Sequence, residues 1–583
     1  MPNFCSLIGS AASRFPEQPA IEVVRSDGVE TTTYAGLMAE AAHVSGWLAG
    51  AGIGAGDRVA ILSDNDARWI GRYLGILHRG AVAVPLDTAY KASQVSTVMD
   101  NSGARLLFVS PRYLDTARTA RSSGAWSLAL LSGAAPGLPG PDEVAAAEPA
   151  EQMAHVADDD AAVILYTSGT TSDPKGVVLT HANLAAEQRA AFQVVDVTAD
   201  DAILGVLPLF HALAQMANLL LPLSVGARVV FLESISSTTL LEALGTRGIT
   251  IFACVPQFFY LIHQRVMGEV ARKGRFARGV FRAIIGGNAW LRDHAGFNPG
   301  QRLFARVHRV LGPRMRILVT GGSRFDPAIG RDLYGLGFTL LNAYGLTETS
   351  GGATIVRPGD RFTTSVGQPL PGVDVRVEGD GSASDGEILL RGPIIMREYY
   401  NRPDASGEAL HGGWLRTGDL GRLDEEGRLY ITGRLKEVIV LASGKNLYPE
   451  EIEAHYRQAP VVKELCVLGL SKPGEPSAER LHGVIVPDED VLRARSVVNV
   501  RELVRFEIEG LAVQLPPHKR ILSYDIWLEP LPRTTTGKIK RHEVERLLRE
   551  RASAPGAEER PVTTEERAWL ETPAHAGLIG LVA

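Results

Sequence analysis

The chain reads as an α/β protein, with a large N-terminal part built on helix-covered sheets, a small β unit at its end, and a smaller α+β C-terminal domain. Three changes of pattern along the sequence predict this. Up to about residue 365, short apolar β-type runs alternate with helical patterns, which argues for parallel sheets with helices on both faces. Beyond that point the runs shorten and Gly and Asp punctuate them, as in a small, more antiparallel β unit. From near Leu435 a third pattern begins, with helices bearing charged faces between two strand-like runs, as in an ordinary small domain of about 115 residues.

Taken in order, GDRVAILS (56–63) is the first strand of a β–helix–β passage, with a helical run around Trp69 to Leu77 and a second strand in GAVAVPL (80–86). AAVILY (161–166), ARVVFL (227–232), GITIFACV (248–255) and MRILVTGG (315–322) continue the strand series. GVDVRVEGDG, GEILLRG and GRLYITGR form the β-rich unit of about 365–434. The last domain supplies a helix in PEEIEAHYRQ, strands in KELCVLGL and HGVIVP, a helix near Arg501 to Leu511 and an amphipathic helix after Lys540. Residues 551–583 read as a linker, RASAPGAEERP, and a short helical tail in which Thr563 is an N-cap with Glu566 three positions on.

Of 583 residues, 45% are hydrophobic and 22% charged, the balance of a folded protein. The net charge of −6 gives no global basic field for nucleic acid. Cys5, Cys254 and Cys466 lie far apart without ligand spacing, against a disulfide framework or structural zinc. The start, MPNFCSLIGSAASRF, lacks the basic region and long apolar run of a signal peptide, so a cytoplasmic address is expected. The stretch from Ala202 to Ala227 is uncharged and long enough to cross a bilayer, but Pro208, His211, Gln215, Asn218 and Pro222 interrupt it. It reads instead as a buried strand followed by a short buried helix. One segment departs from the average. Residues 263–316 carry twelve Lys/Arg against Glu269 and Asp293, a net +10 that leaves −16 for the rest. This is either a solvated face with counter-charges elsewhere in the fold, or a dock for anions, whether membrane phospholipid at the inner membrane face or a phosphorylated cofactor.

Chemistry concentrates in a few loops. YTSGTTSDPKG (166–176) follows an apolar strand, and a Gly/Ser/Thr loop with a lysine suits polyphosphate. It is not a Walker A loop, because Pro174 stands where the second glycine belongs and no Ser or Thr follows Lys175. NAYGLTETSG (342–351), GWLRTGDLG (413–421), YITGRLKEVIVLASGKNLYPEEIE (430–453) and LPRTTTGKIKR (531–541) follow in that order. With these motifs the sequence resembles the AMP-forming adenylating enzymes, a superfamily of acyl-CoA synthetases, luciferases and peptide-synthetase adenylation domains. The likeness covers roughly residues 10–550.

The resemblance implies an N-terminal domain at 1–434, a mobile C-terminal domain at 435–550 that carries the catalytic lysine, and a set of site residues. Thr167, Ser168, Gly169, Thr170, Thr171 and Lys175 would clasp the leaving phosphates of ATP. Thr347 would meet the α-phosphate, and Glu348 would hold Mg²⁺. Gly321, Gly322 and Ser323 would frame adenine, with Tyr344 and Gly345 against the ring. Asp419 would accept the ribose hydroxyls beside Arg434. Lys538 would stabilise charge between carboxylate and α-phosphate, whereas the neighbouring Lys540 and Arg541 read as ordinary surface residues. Lys436 would be the hinge, and Gly444 and Lys445 would line the passage for CoA.

His211 in PLFHALAQ matches the histidine beside the carboxylate site of acyl- and aryl-CoA ligases, and is expected to shape the pocket. The uncharged residues after Phe210-His211 speak against an amino acid, and the apolar ALAQMANLLLPL suits an alkyl chain. The stretch leading from Lys273 to MRILVTGGS resembles the longer connection of long-chain acyl-CoA synthetases. The expected function is activation of a medium- to long-chain fatty acid and its transfer to CoA. Loading of an acyl carrier protein stays open as the alternative acceptor.

Overall fold

In the computed structural model, described residues are 4–121, 126–167, 175–379, 385–441, 446–470, 480–495, 497, 499–534 and 537–553. The tail expected to carry Thr563 lies outside them. The chain divides into two compact units. The first comprises 1–378, 388–417 and 423–430, and the second 379–387, 418–422 and 431–583.

The first unit holds two large sheets. In the nine-stranded sheet, six strands run parallel in the order Thr339–Tyr344, Ile317–Thr320, Ile251–Cys254, Ala202–Gly205, Arg228–Leu232 and Pro19–Arg25. Antiparallel strands close both edges. In the seven-stranded sheet, Ala161–Thr167, Val82–Pro85, Arg58–Leu62, Leu106–Val109 and Ser127–Leu130 run parallel, while Lys175–Thr180 and Glu398–Tyr399 add on antiparallel. The central strands are buried on both faces, which is why they read as continuous Val/Ile/Leu runs rather than as alternations. On one face of the second sheet, Ala60, Leu62, Val82, Val84, Leu107 and Val109 meet Val95, Val98 and Met99 of the helix Ala92–Ser102. The strand series expected from the sequence is therefore present, and the α/β class with a large N-terminal part and a smaller C-terminal one stands.

The uncharged stretch 202–227 folds as the strand Ala202–Gly205 and a helical passage from Ala212 to Val225. The middle turn, Met216–Leu220, is a wide π turn. Pro222 has no N–H to give the carbonyl four residues back, and the ladder adjusts around that gap. Among the described residues no helix is long and apolar enough to cross a membrane.

The second unit is built on a three-stranded sheet, with Val462–Leu470 antiparallel to Arg480–Pro487 and Ile521–Ile526 parallel to it. Pro449–Tyr456 and Val500–Ala512 pack on one side, through Ile452, Tyr456, Val504 and Ile508. The helix Arg541–Ser553 packs through Val544 against Cys466, Leu468, Val484 and Val486.

Candidate active site

Parallel sheets place loops at the carboxyl ends of their strands, and the first unit's site residues gather there. Thr320 lies in register with Asn342, so the chain leaving one strand (Gly321–Ser323) and the chain leaving the next (Gly345–Glu348) emerge side by side. Gly321 packs so that a Cβ would stand 3.1 Å from the carbonyl of Ala343, and Gly322 has φ +80°. Gly345 has no room for a side chain at all, since a Cβ would meet Gly351 O at 2.4 Å. Leu346 N donates to Thr349 Oγ1 at 2.9 Å, which folds Thr347–Thr349 into one 3₁₀ turn and presents Thr347 and Glu348 half-buried.

A second segment is sewn to that turn. Thr180 and Asn183 cap the helix His181–Phe192 reciprocally, at 3.1 and 2.9 Å. The Asn183 amide then donates to the carbonyls of Pro393 and Ile395, both at 2.8 Å. From the other side Met396 N donates to Glu348 O and Ser350 Oγ to Ile394 O, each at 2.8 Å. This segment runs on into Glu398–Tyr399, which pairs with Val178 and Val177 of the neighbouring strand. The result is a cluster. Tyr399 Oη donates to Glu348 Oε1 at 2.7 Å, and Lys175 Nζ lies 4.7 Å from the Tyr399 ring centroid. Lys175 itself is in register with Thr167 across the strand pair Ala161–Thr167 and Lys175–Thr180. Ser168, Gly169, Thr170 and Thr171 lie outside the described residues.

His211 follows the strand Ala202–Gly205 at the same sheet edge and heads the helical passage, its ring 4.5 Å from that of Phe210. Burial pushes the imidazole down to about 4, so it is neutral at neutral pH. Beneath the Glu348 turn, Gly352 N donates to Glu187 Oε1 at 2.7 Å, and burial holds this carboxyl well above the usual range.

In the second unit, Asp419 is buried and accepts from Arg434 Nε at 2.7 Å. Lys436 is exposed in the one-turn helix Leu435–Glu437. Lys538 Nζ stands 3.6 Å from Glu437 Oε1, at the end of a turn held by Thr534 N to Lys538 O at 2.8 Å and Lys538 N to Thr534 Oγ1 at 3.0 Å. Burial raises the Glu437 carboxyl, but Lys538, Arg541 and Arg434 outweigh it and bring it below its ordinary value. Gly444 and Lys445 lie outside the described residues.

One sequence expectation fails. Lys540 is a surface residue, but Arg541 is not. Its guanidinium is buried against Glu453, donates to Val467 O at 3.0 Å and lies 3.5 Å from Glu437. The helical pattern after Lys540 does not reveal that its first residue turns inward across a sheet formed about 75 residues earlier. Tyr399, Asn183 and Glu437 were also missed. Only Asn183 left a trace, as the third residue after a capping threonine.

Among the described residues, no cluster of three His, Cys, Asp or Glu could hold a metal by itself. The half-buried Glu348 would offer a single carboxylate, the kind of donor Mg²⁺ takes when nucleotide phosphates complete its shell.

Residues 9–400 match the AMP-binding enzyme family, and residues 436–553 match the AMP-binding enzyme C-terminal domain. The long-chain-fatty-acid–CoA ligase FadD13 of Mycobacterium tuberculosis (strain H37Rv) is 31% identical over 90% of this chain and 93% of its own. The 2-succinylbenzoate–CoA ligase of Bacillus cereus (strain Q1) is 28% identical over 94% and 99%. In fold, the anthranilate CoA ligase AuaEII, solved with anthranoyl-AMP, superposes with a TM-score of 0.78 at 21% identity, over 95% of this chain and 98% of that one. The chain belongs to the AMP-binding enzyme family and is an adenylate-forming acid–CoA ligase.

Proposed function

We propose that this ligase activates a medium- to long-chain fatty acid as its acyl-adenylate and passes the acyl group to CoA, releasing AMP and pyrophosphate. ATP and CoA are the co-substrates and Mg²⁺ the metal. The observation that carries the reading is the Lys175–Tyr399–Glu348 cluster at the strand ends, whose Glu348 turn runs on to Gly351, where a Cβ would stand 3.3 Å from Met216 Cγ of the uncharged passage Ala212–Val225. A carboxylate and ATP are both anions, so the residues must position them and neutralise charge. In this reading Lys175 attracts the polyphosphate, Thr347 donates to the α-phosphate, and Tyr399 fixes the Glu348 carboxylate toward the metal. Mg²⁺, when bound, neutralises charge on the phosphate oxygens. Gly321–Ser323, Tyr344 and Gly345 receive adenine, and Asp419, oriented by Arg434, receives the ribose. Lys538 leaves Glu437 to meet the charge that develops as the acid attacks the α-phosphate, and Lys436 is the hinge for the thiol step.

A fatty acid is favoured by the uncharged stretch of sequence after His211 and by relatives such as FadD13, whose name gives that substrate class. The test is mass spectrometry of products from ATP, Mg²⁺ and a panel of fatty, aryl and amino acids with and without CoA. Fatty acyl-CoA is the expected product. Turnover confined to aryl acids would overturn the substrate class, and acyl-AMP that ignores CoA but loads an acyl carrier protein would overturn the acceptor.

A further inference from the structure

The helix His181–Phe192 carries a buried carboxyl whose bonding is only half accounted for. Asn183 and Glu187 stand one turn apart on the same face of this helix, the face directed at the Glu348 turn. Asn183 is engaged there on the carbonyls of Pro393 and Ile395. Gln188, the next residue along, donates to Ser224 Oγ at 2.8 Å. Glu187 differs. Its Oε1 accepts from Gly352 N at 2.7 Å, while Oε2 is buried and meets no partner among the described residues. A buried polar atom left in that state costs stability, so its retention calls for a use.

The surroundings indicate which use. Two successive glycines face the carboxyl, and both keep side chains away from it. A Cβ on Gly352 would stand 3.1 Å from Oε1, and one on Gly351 would stand 3.2 Å from it. The same Cβ on Gly351 would lie 3.3 Å from Met216 Cγ and 3.4 Å from Ala212 O. The carboxyl thus sits where the turn that presents Thr347 and Glu348 meets the uncharged passage Ala212–Val225. Burial favours its neutral form, which makes the two oxygens unlike. The one on Gly352 N–H is the carbonyl acceptor, and the other is a hydroxyl donor with nothing to receive its proton. Such a donor discriminates between acids, because one without an oxygen at that place leaves it unpaired.

We propose that Glu187 is a specificity-determining residue whose Oε2 donates a hydrogen bond to an oxygen on the acyl group. The preferred acid then bears a hydroxyl or oxo oxygen away from its carboxylate, on an otherwise apolar frame. The inference rests on the proposed function only in laying the acyl group along Ala212–Val225, and it applies to an alkyl chain or a ring alike.

The test is the ratio of kcat/KM between matched acids, with acyl-CoA read by mass spectrometry. Hexadecanoic acid is compared with its hydroxy, oxo and amino derivatives at successive positions, and benzoic acid with its hydroxy, acetyl and amino derivatives. Wild type should favour one oxygenated acid over its plain parent about tenfold or more. Glu187→Gln keeps an acceptor for Gly352 N and puts an N–H donor where the hydroxyl was, so the preference should survive. Glu187→Met removes both groups and should bring the ratio close to unity. A carboxyl that only braced the Gly352 turn would behave otherwise: Glu187→Met would slow both acids of a pair equally and leave their ratio intact. That result would overturn the proposal. So would a wild-type ratio of unity throughout, as a water held on Oε2 would give, or a preference for an amino derivative, which needs an ionised carboxyl. The wild-type ratio remains decisive even where Glu187→Met does not fold. Turnover confined to the aryl acids would instead overturn the fatty-acid reading, and their ratios would still test Glu187.

Discussion

Tyr399 holds two of the expected site residues at once, its hydroxyl on Glu348 and its ring under Lys175. Phenylalanine keeps the ring and loses the hydrogen bond. A bond to a charged group is worth about 1.5–3 kcal/mol, so Tyr399→Phe should slow adenylate formation about tenfold or more with little change in melting temperature. ATP–pyrophosphate exchange reads this directly, and exchange at the wild-type rate would remove Tyr399 from the site. His211 makes a prediction of opposite kind. Burial lowers its folded-state value to about 4, while the unfolded chain takes up the proton near 6.5. Its contribution to stability is therefore present above about pH 6.5 and is lost as pH falls toward 4. Between pH 7 and about 5, wild type should lose about 2 kcal/mol that His211→Gln does not. Urea melts of the two at both pH values check the slope.

At the scale of elements, the second unit depends on an ion pair that joins three of them. Glu453, on the helix Pro449–Tyr456, accepts from Val467 N at 2.8 Å and pairs with Arg541, which opens the last helix. Both side chains are largely buried, so removing one partner strands the other's charge. Arg541→Leu should destabilise this unit by about 3–5 kcal/mol, and adding Glu453→Gln should recover part of the loss by making the stranded group neutral. Thermal unfolding of the two variants measures this. A melting temperature unchanged in Arg541→Leu would mean that the helix docks through Val544 and its apolar neighbours alone. The helix at 541–553 thus reads as amphipathic for one reason and is placed for another.

At the scale of the whole molecule, the expected site residues are divided between the units. The Lys175–Tyr399–Glu348 cluster belongs to the first, while Asp419, Arg434, Lys436 and Lys538 belong to the second. If Lys538 serves only the first half-reaction, Lys538→Ala should abolish acyl-AMP formation yet still convert supplied acyl-AMP and CoA to acyl-CoA at near the wild-type rate. A variant that fails in both halves would show that the lysine is needed throughout. The salt link from Lys538 to Glu437, one residue past the expected hinge, gives this lysine a resting partner inside its own unit.

The sequence by itself determined the strand and helix series, the α/β class and the family. Each of these depends on local periodicity or on short motifs whose residue types the chemistry requires. It also located Lys175, Glu348, Asp419 and Lys538 along the chain, because the turns that carry them are written in consecutive residues. What it could not supply were contacts across long separations. Tyr399 reaches Glu348 only because Asn183 and the Glu348 turn grip the same passing segment, and Arg541 turns inward only because the strand Val462–Leu470 waits beside Glu453. Likewise the basic count of 263–316 was legible, but not that the helix within it would bury one apolar face and leave the other outside. Local pattern fixes which elements form. Which face of each is used is decided by neighbours that only the folded chain brings near.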